Sequence, residues 1–188
     1  ALSLEEGKLI WKFETNGAVA STPLVVNGVV YVGSFDRYFY AIDATTGNSI
    51  WSSPFKGNNW FWGKAISDGT AIYAPSVDGN LYALNQYNGS PIWKTPFDTM
   101  GPIVSDPALV PEGIVVANDN GDVYLVNRSG QDIRSYSIKE PVRAPITSYD
   151  SIVYISAMNH TVRAVDLDRG FWSEIWCYNT KESKDCDN

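Results

Sequence analysis

The feature that most constrains the fold of this 188-residue chain is an internal repeat of about 41 residues. A strand-like segment recurs as GVVYVGS, TAIYAPS, GIVVAND and SIVYISA, and its fourth residues are Tyr31, Tyr73, Val116 and Tyr154. These residues lie 42, 43 and 38 positions apart. A second landmark, an acid or its amide after an apolar run, recurs at steps of 42, 42 and 39. Tandem copies of so short a unit indicate a repeat architecture, because one copy cannot bury its apolar face alone.

Each copy continues from its acid or amide to a glycine and then to an aromatic or basic residue. These three landmarks are, copy by copy, Asp43, Gly47 and Trp51; Asn85, Gly89 and Trp93; Asn127, Gly130 and Arg134; and Asp166, Gly170 and Trp176. A β-sandwich with evenly spaced strands does not need the same residue type at the same position of every copy. They are typical of a β-propeller, in which each copy forms one blade.

One copy contains four segments of strand length. In the second copy they are residues 65–68, 71–76, 80–85 and 90–97, rich in β-branched and aromatic side chains. Asp-Gly and Asn-Gly pairs separate them and favour tight turns, so neighbouring strands run antiparallel. The sequence therefore predicts an all-β fold with four four-stranded blades, at residues 18–55, 60–97, 101–138 and 141–178.

Residues 7–13 (GKLIWKF) predict one extra strand, because Trp11 precedes Trp51 by 40 positions. This strand is expected to be the outer strand of a preceding blade. The chain is then part of a larger ring, or a half-ring that pairs with a second copy. A small closed ring of four blades is a third alternative, but it leaves no place for the extra strand. An open ring exposes strand edges and apolar faces, which need to be covered.

Residues 41–51 (AIDATTGNSIW) resemble the tryptophan-docking motif of the PQQ-type (quinoprotein-like) propeller repeat, Ala-x-Asp-x-x-Thr-Gly-x-x-x-Trp. The second copy departs from the motif at Asn85, the third has Arg134 in place of tryptophan, and the fourth reaches Trp176 two residues late. The resemblance covers residues 8–178 and implies that these tryptophans stack between adjacent blades. It also suggests likeness to the propeller subunit of the bacterial outer-membrane barrel-assembly machinery.

Charge and composition exclude several functions. The net charge of −7 and the pI near 4.6 argue against binding nucleic acid or anionic membranes, which requires a basic face. No apolar run is long enough for a transmembrane span, and the first residues have no signal-peptide pattern, so any leader is expected to be already removed. One histidine excludes a multi-histidine metal centre within the chain, and no catalytic residue or metal ligand is predicted.

Cys177 and Cys186 flank a polar segment, and residues 179–188 form a polar tail. A disulfide between them would tie this tail to the last strand and would imply an oxidising compartment. The alternative is two unpaired thiols.

Residues 58–63 carry the most unusual local sequence, with Trp60, Phe61 and Trp62 in succession. Aligning the copies places residues 18–20, 102–104 and 140–142 opposite them, and these are mostly small or aliphatic. The aromatic residues are expected to form a binding surface at the mouth of the central channel, for a sugar, a peptide or a partner segment. The alternative is packing against a neighbouring blade.

Lys64, Asp106 and Arg143 lie close to the predicted start of the innermost strands. They are expected to approach the channel axis, as a charged lining that binds a polar ligand or as an ordinary solvated channel. The sequence favours a non-catalytic binding or scaffolding module of a cell-envelope or secreted protein, with no cofactor. Its alternatives are a fragment of a PQQ- and calcium-dependent dehydrogenase, with Trp62 and Asp106 as the nominated site, or a glycan-binding propeller.

Overall fold

A computed structural model describes residues 1–168 and 172–186. Within these residues the fold is all-β, with three sheets of four strands and one of five, and every strand pairing is antiparallel. The sheets do not close into a ring, so the structure is a partial propeller. The predicted fold class is confirmed. The predicted repeat residue Gly170 lies outside the described residues.

Each blade is a meander whose strands pair in chain order. Blade 1 contains β1 (Leu24–Val26), β2 (Val29–Gly33), β3 (Tyr38–Asp43) and β4 (Phe55–Lys56). Blade 2 contains β5 (Ile66–Ser67), β6 (Ala71–Pro75), β7 (Asn80–Asn85) and β8 (Phe97–Asp98). Blade 3 contains β9 (Ala108–Val110), β10 (Gly113–Ala117), β11 (Asp122–Val126) and β12 (Asp132–Ser137). Blade 4 contains β13 (Thr147–Tyr149), β14 (Ile152–Ala157), β15 (Thr161–Asp166), β16 (Ser173–Asn179) and β17 (Lys184–Asp185).

The outer strands of blades 1 and 2 are much shorter than the sequence predicts. In blade 2 the expected strand at 90–97 is reduced to β8 and to an isolated bridge between Leu84 and Pro91. Pro91 and Pro96 lack a backbone N–H, so they cannot donate to the ladder and they interrupt it.

The segment 7–13 does not form the strand that was expected. Its described contacts include an isolated bridge between Leu9 and Leu2, and the amino terminus of Ala1 donates to the Trp11 carbonyl at 2.7 Å. A strand needs a neighbouring ladder, and none of the four described sheets extends to this segment. No helix among the described residues has the length and apolar character to cross a bilayer.

The fifth strand of blade 4 was not foreseen. The Cys177–Cys186 disulfide closes the polar tail back on β16, with the two Cα atoms 5.3 Å apart, and β17 pairs with the end of β16. The predicted disulfide is confirmed. It covers part of an edge that would otherwise present unpaired backbone groups.

The hydrophobic core lies between blades. We call the face that a blade turns to the next blade in the chain its forward face, and the opposite one its back face. Three apolar clusters fill the interfaces between blades 1 and 2, 2 and 3, and 3 and 4. Tyr31 and Tyr73 lie on forward faces, and in blade 3 the equivalent residue is Val115, since Val115 pairs with Leu125 as Tyr31 pairs with Ala41. The alignment of Val116 with these tyrosines was therefore wrong by one residue.

Three tryptophans, one preceding blade 1 and one at the outer edge of each of blades 1 and 2, reach the same point on the next blade. The indole N–H groups of Trp11, Trp51 and Trp93 donate to the carbonyls of Ala44, Gln86 and Arg128 at 2.9, 3.1 and 2.9 Å. Each acceptor is the residue directly after the repeated acid or amide.

A glycine lies under each docked ring. A Cβ atom added to Gly47, Gly89 or Gly130 would lie 2.8, 2.6 or 2.7 Å from the indole. All three glycines also have positive φ, so the position excludes side chains for two reasons.

Arg134 replaces the tryptophan of blade 3 without losing the docking hydrogen bond. Its Nη1 donates to the Leu167 carbonyl at 2.9 Å, and Leu167 directly follows Asp166. Because a guanidinium has several planar donors, it satisfies the same acceptor while supplying less apolar surface.

We expect Trp51→Ala to lower the free energy of unfolding by about 3–5 kcal/mol, because the ring is 2% exposed between two blades. Trp176→Ala is the matched control, since Trp176 is the outer tryptophan of blade 4 but is 44% exposed. It should cost less than about 1 kcal/mol. Urea unfolding followed by circular dichroism measures both, and equal losses would contradict the docking role.

Asp68 holds the turn between β5 and β6 and faces blade 3. Burial raises the pKa of its carboxyl, but hydrogen bonds from the Ala71 and Thr70 N–H groups and from the Tyr73 hydroxyl lower it to about 2. Arg128 of blade 3 lies 3.5 Å away.

Asp68→Asn should therefore cost roughly 2 kcal/mol at neutral pH, by linkage from the lowered pKa. The folded-state pKa lies below the unfolded value, so this stabilisation is complete above about pH 4 and is lost as pH falls toward 2. Urea unfolding of both proteins across this range measures it. A difference that is independent of pH would show that ionised Asp68 does not stabilise the turn.

Candidate functional site

One end of the propeller gathers the β2–β3 turn and its equivalents with the connections that enter each blade. The backbone N–H groups of Phe35, Val77, Asp119 and Met158 donate to the carbonyls of Ala18, Trp60, Pro102 and Pro141, at 2.8–2.9 Å. The same hydrogen bond thus recurs once per blade and holds each entering connection against the turn of the blade that it enters.

This pattern corrects the alignment of the fourth copy. The backbone N–H groups of Phe61 and Ile103 each donate to a carbonyl in the turn of the preceding blade, and that of Val142 does the same to the Asn118 carbonyl in the blade 3 turn. Residues 141–143, not 140–142, are therefore equivalent to residues 60–62. Arg143 therefore occupies the position of Trp62 and Val104.

The three consecutive aromatic residues have different environments. Phe61 is fully buried, and its ring packs against Phe39, Phe55 and Tyr82 with centroids 5.4, 6.3 and 5.9 Å away. A Cβ atom on Gly33 would lie 2.2 Å from the Phe61 Cβ, so glycine is required there for close packing. For Phe61, the structure favours the packing alternative.

Trp60 and Trp62 instead point outward, 42% and 45% exposed. Phe35 lies between them, stacked on Trp60 at 4.7 Å and tilted against Trp62 at 5.2 Å. We call Phe35, Trp60 and Trp62 the aromatic patch. Phe35 was missed from sequence, although its turn position carries Val77, Asp119 and Met158 in the other copies and is aromatic only here.

A charged pair adjoins the patch. Arg143 donates from Nε and Nη2 to the two carboxylate oxygens of Asp119 at 2.6 and 3.0 Å, and this raises the pKa of Arg143. A cavity of about 320 Å³ is lined by Trp62, Val104, Asp119 and Arg143. The site therefore combines an apolar wall with an ion pair whose charges are mutually balanced.

Lys64 and Asp106 are placed differently from Arg143. Asp106 accepts the backbone N–H of Lys64 at 2.7 Å, and its carbonyl accepts the N–H of Ile146 at 2.9 Å. Asp106 thus links blades 2, 3 and 4 where they begin. In the described part of the chain, Arg143 pairs with Asp119 and not with Asp106, so the three predicted charged residues do not form one cluster.

Comparison with known proteins places this geometry in a family. A family model described as outer membrane protein assembly factor BamB matches residues 1–178. The fold is similar to that of BamB from Moraxella catarrhalis, with a TM-score of 0.79 and 13% identity over 92% of this chain and 56% of that chain. The chain thus spans about half the length of that protein.

Two further similarities are more limited. Quinohemoprotein alcohol dehydrogenase from Comamonas testosteroni gives a TM-score of 0.72 and 16% identity, over 87% of this chain and 35% of that chain. The uncharacterized protein YxaL of Bacillus subtilis is 53% identical over 38 residues, which are 20% of this chain and 9% of that protein. At 13% and 16% identity, the likeness to the BamB and dehydrogenase structures shows a shared fold alone.

We expect Phe61→Ala to cost about 3–5 kcal/mol of unfolding free energy, because it removes a buried ring. Trp60→Ala and Trp62→Ala should each cost less than about 1 kcal/mol, because their rings are partly in solvent. Urea unfolding distinguishes the two classes. A large loss on changing Trp60 or Trp62 would mean that the aromatic patch serves packing.

Proposed function

The chain belongs to the PQQ-type propeller family described as outer membrane protein assembly factor BamB, and from this premise we propose that it is a non-catalytic binding module that recognises a protein segment. The observation that carries the proposal is the aromatic patch. Trp60 and Trp62 remain exposed on either side of Phe35, at a mouth where the other copies place small, aliphatic or charged residues.

The chemistry of the patch suits a polypeptide partner. Tryptophan and arginine are the residues that most often dominate protein interfaces, and they act best beside a pocket that excludes water. The cavity beside Trp62 provides such a pocket, with Val104 as an apolar wall. Since Asp119 and Arg143 satisfy each other, the pocket offers few free polar groups for the many hydroxyls of a sugar.

The proposed location is the cell envelope or the extracellular space. Disulfides persist in oxidising compartments, and Cys177 and Cys186 are paired. The family description also names an outer-membrane assembly factor. The proposed partners are a protein that docks at the mouth, or a second copy that completes the ring.

The alternative, a PQQ-dependent dehydrogenase fragment, does not fit the side chains described. Its nominated carboxylate, Asp106, is bonded to the backbone of Lys64. No group of three or more histidine, cysteine or acidic residues in the described part of the chain could hold calcium beside it.

The proposal is tested by selecting random linear peptides displayed on phage against the intact protein, followed by fluorescence titration of the selected peptides. Trp60→Ala and Trp62→Ala should each weaken binding by about tenfold or more, as loss of an interface tryptophan commonly does. Tyr87→Ala is the control, because Tyr87 is 73% exposed but follows β7, at the opposite end of the sheet.

Three outcomes would overturn the proposal. Selected peptides that bind the tryptophan variants and the control equally would have their site elsewhere. Binding of simple oligosaccharides in place of peptides, lost with the same variants, would support the glycan alternative. Binding of PQQ with Ca²⁺, detected by quinone absorbance, would support the dehydrogenase.

A further inference from the structure

The hydrogen-bonding groups that the aromatic patch leaves open are donors. The indole N–H groups of Trp11, Trp51 and Trp93 each donate to a backbone carbonyl. Those of Trp60 and Trp62 have no acceptor within residues 1–168 and 172–186, and both side chains are partly exposed. Blades 1 and 3 flank blade 2 without covering the patch, so these two N–H groups are available to a ligand.

Arg143 adds further donors beside Trp62. Its Nε and one N–H of Nη2 donate to the Asp119 carboxylate. The guanidinium has further N–H groups on Nη1 and Nη2, and in the part of the chain that the structure describes Nη1 has no acceptor. The Arg143 side chain is half-exposed and lines the cavity of about 320 Å³ together with Trp62 and Val104.

The acceptors around the patch are already engaged by the protein. Four carboxylates in the surrounding turns and connections each accept at least one hydrogen bond from the chain itself: Asp36, Asp78, Asp106 and Asp119. Asp36 and Asp78 each accept two backbone N–H groups and a tyrosine hydroxyl. The Trp60 carbonyl likewise accepts the Val77 N–H. The patch therefore offers apolar rings and N–H groups, with few acceptors for a ligand's own donors.

Such a surface discriminates between kinds of polypeptide. An ordinary segment brings one backbone N–H per residue, and an N–H removed from water without an acceptor destabilises the complex. Proline has a backbone carbonyl but no N–H, and its ring is apolar. Proline-rich segments in the polyproline II conformation are ordered before binding and dock in aromatic-lined grooves. They are the polypeptides whose hydrogen-bonding groups match those of the patch.

Size and charge agree with such a ligand. One turn of polyproline II rises about 9 Å, and the Trp60 and Trp62 rings lie 4.7 and 5.2 Å from Phe35, so a segment of two turns is long enough to pass along all three rings. The net charge of −7 disfavours an acidic segment. The pairing of Arg143 with Asp119 leaves the cavity without an unbalanced charge from these two residues, as an uncharged segment requires.

We propose that the aromatic patch binds a proline-rich segment of a partner protein in the polyproline II conformation. Its backbone carbonyls accept the indole N–H groups of Trp60 and Trp62 and the open N–H groups of Arg143, and a proline ring enters the cavity against Trp62 and Val104. This inference rests on the proposed function, because it specifies which kind of polypeptide the patch recognises.

Isothermal titration calorimetry of the intact chain with a capped proline decamer tests the proposal, with a capped Gly-Ser decamer as the control peptide. The proline decamer should bind at least about tenfold more tightly. Trp62→Phe keeps an aromatic ring but removes the N–H, and Arg143→Lys keeps a charge for Asp119 but removes the planar donors. Each should weaken binding of the proline decamer by about fivefold, as loss of one hydrogen bond does. Tyr87→Phe, a change at an exposed ring at the opposite end of the sheet, should leave binding unchanged.

Three results would overturn the proposal. These are no binding of the proline decamer, equal binding of the two decamers, and binding of the proline decamer that is unchanged by both Trp62→Phe and Arg143→Lys. Thermal melting of each variant checks that it is folded.

The peptides selected on phage separate this inference from the proposed function. Selected peptides that contain no proline, yet lose binding with Trp60→Ala and Trp62→Ala, would overturn the preference for proline and leave the proposed function standing. Selected peptides that are rich in proline and depend on both tryptophans would support the two together.

Discussion

The structure depends on one repeated contact, in which the outer side chain of each blade docks on the turn of the next. Trp11, Trp51 and Trp93 each pack the indole ring over a glycine and donate a hydrogen bond to a backbone carbonyl. The receiving turn needs a glycine because a Cβ atom would meet the ring. The repeated acid, glycine and tryptophan of the sequence therefore form the interface between adjacent blades rather than the interior of a single blade.

Because this contact and the hydrogen bonds of the connections fix the blades, the side chains at the channel mouth are free to differ between copies. Trp62, Val104 and Arg143 hold equivalent backbone positions and provide an aromatic, an aliphatic and a charged surface. The surface chemistry of the mouth is thus set by single positions on a constant frame. Phe61 is constrained instead, because its ring is part of the buried core between blades 1 and 2.

The all-β repeat architecture followed from sequence because its landmarks are local and periodic, and the disulfide followed from the isolated cysteine pair. The functional site was predicted less fully. Phe61 and Trp62 are adjacent in sequence, and only the packing of blades shows that one is buried and the other exposed. Phe35 and Asp119 were missed because each joins its partner across a blade boundary, and spacing within one copy carries no signal of that contact.

The most direct test of the docking interaction is a double-mutant cycle between Trp51 and Gly89, measured by equilibrium urea unfolding. The backbone cost of Gly89→Ala, at a positive φ, is common to both backgrounds and cancels in the cycle. The remaining coupling reports contact between the added methyl group and the indole, which would lie 2.6 Å apart. The account predicts a coupling free energy of at least about 1 kcal/mol, and additivity within about 0.3 kcal/mol would contradict it.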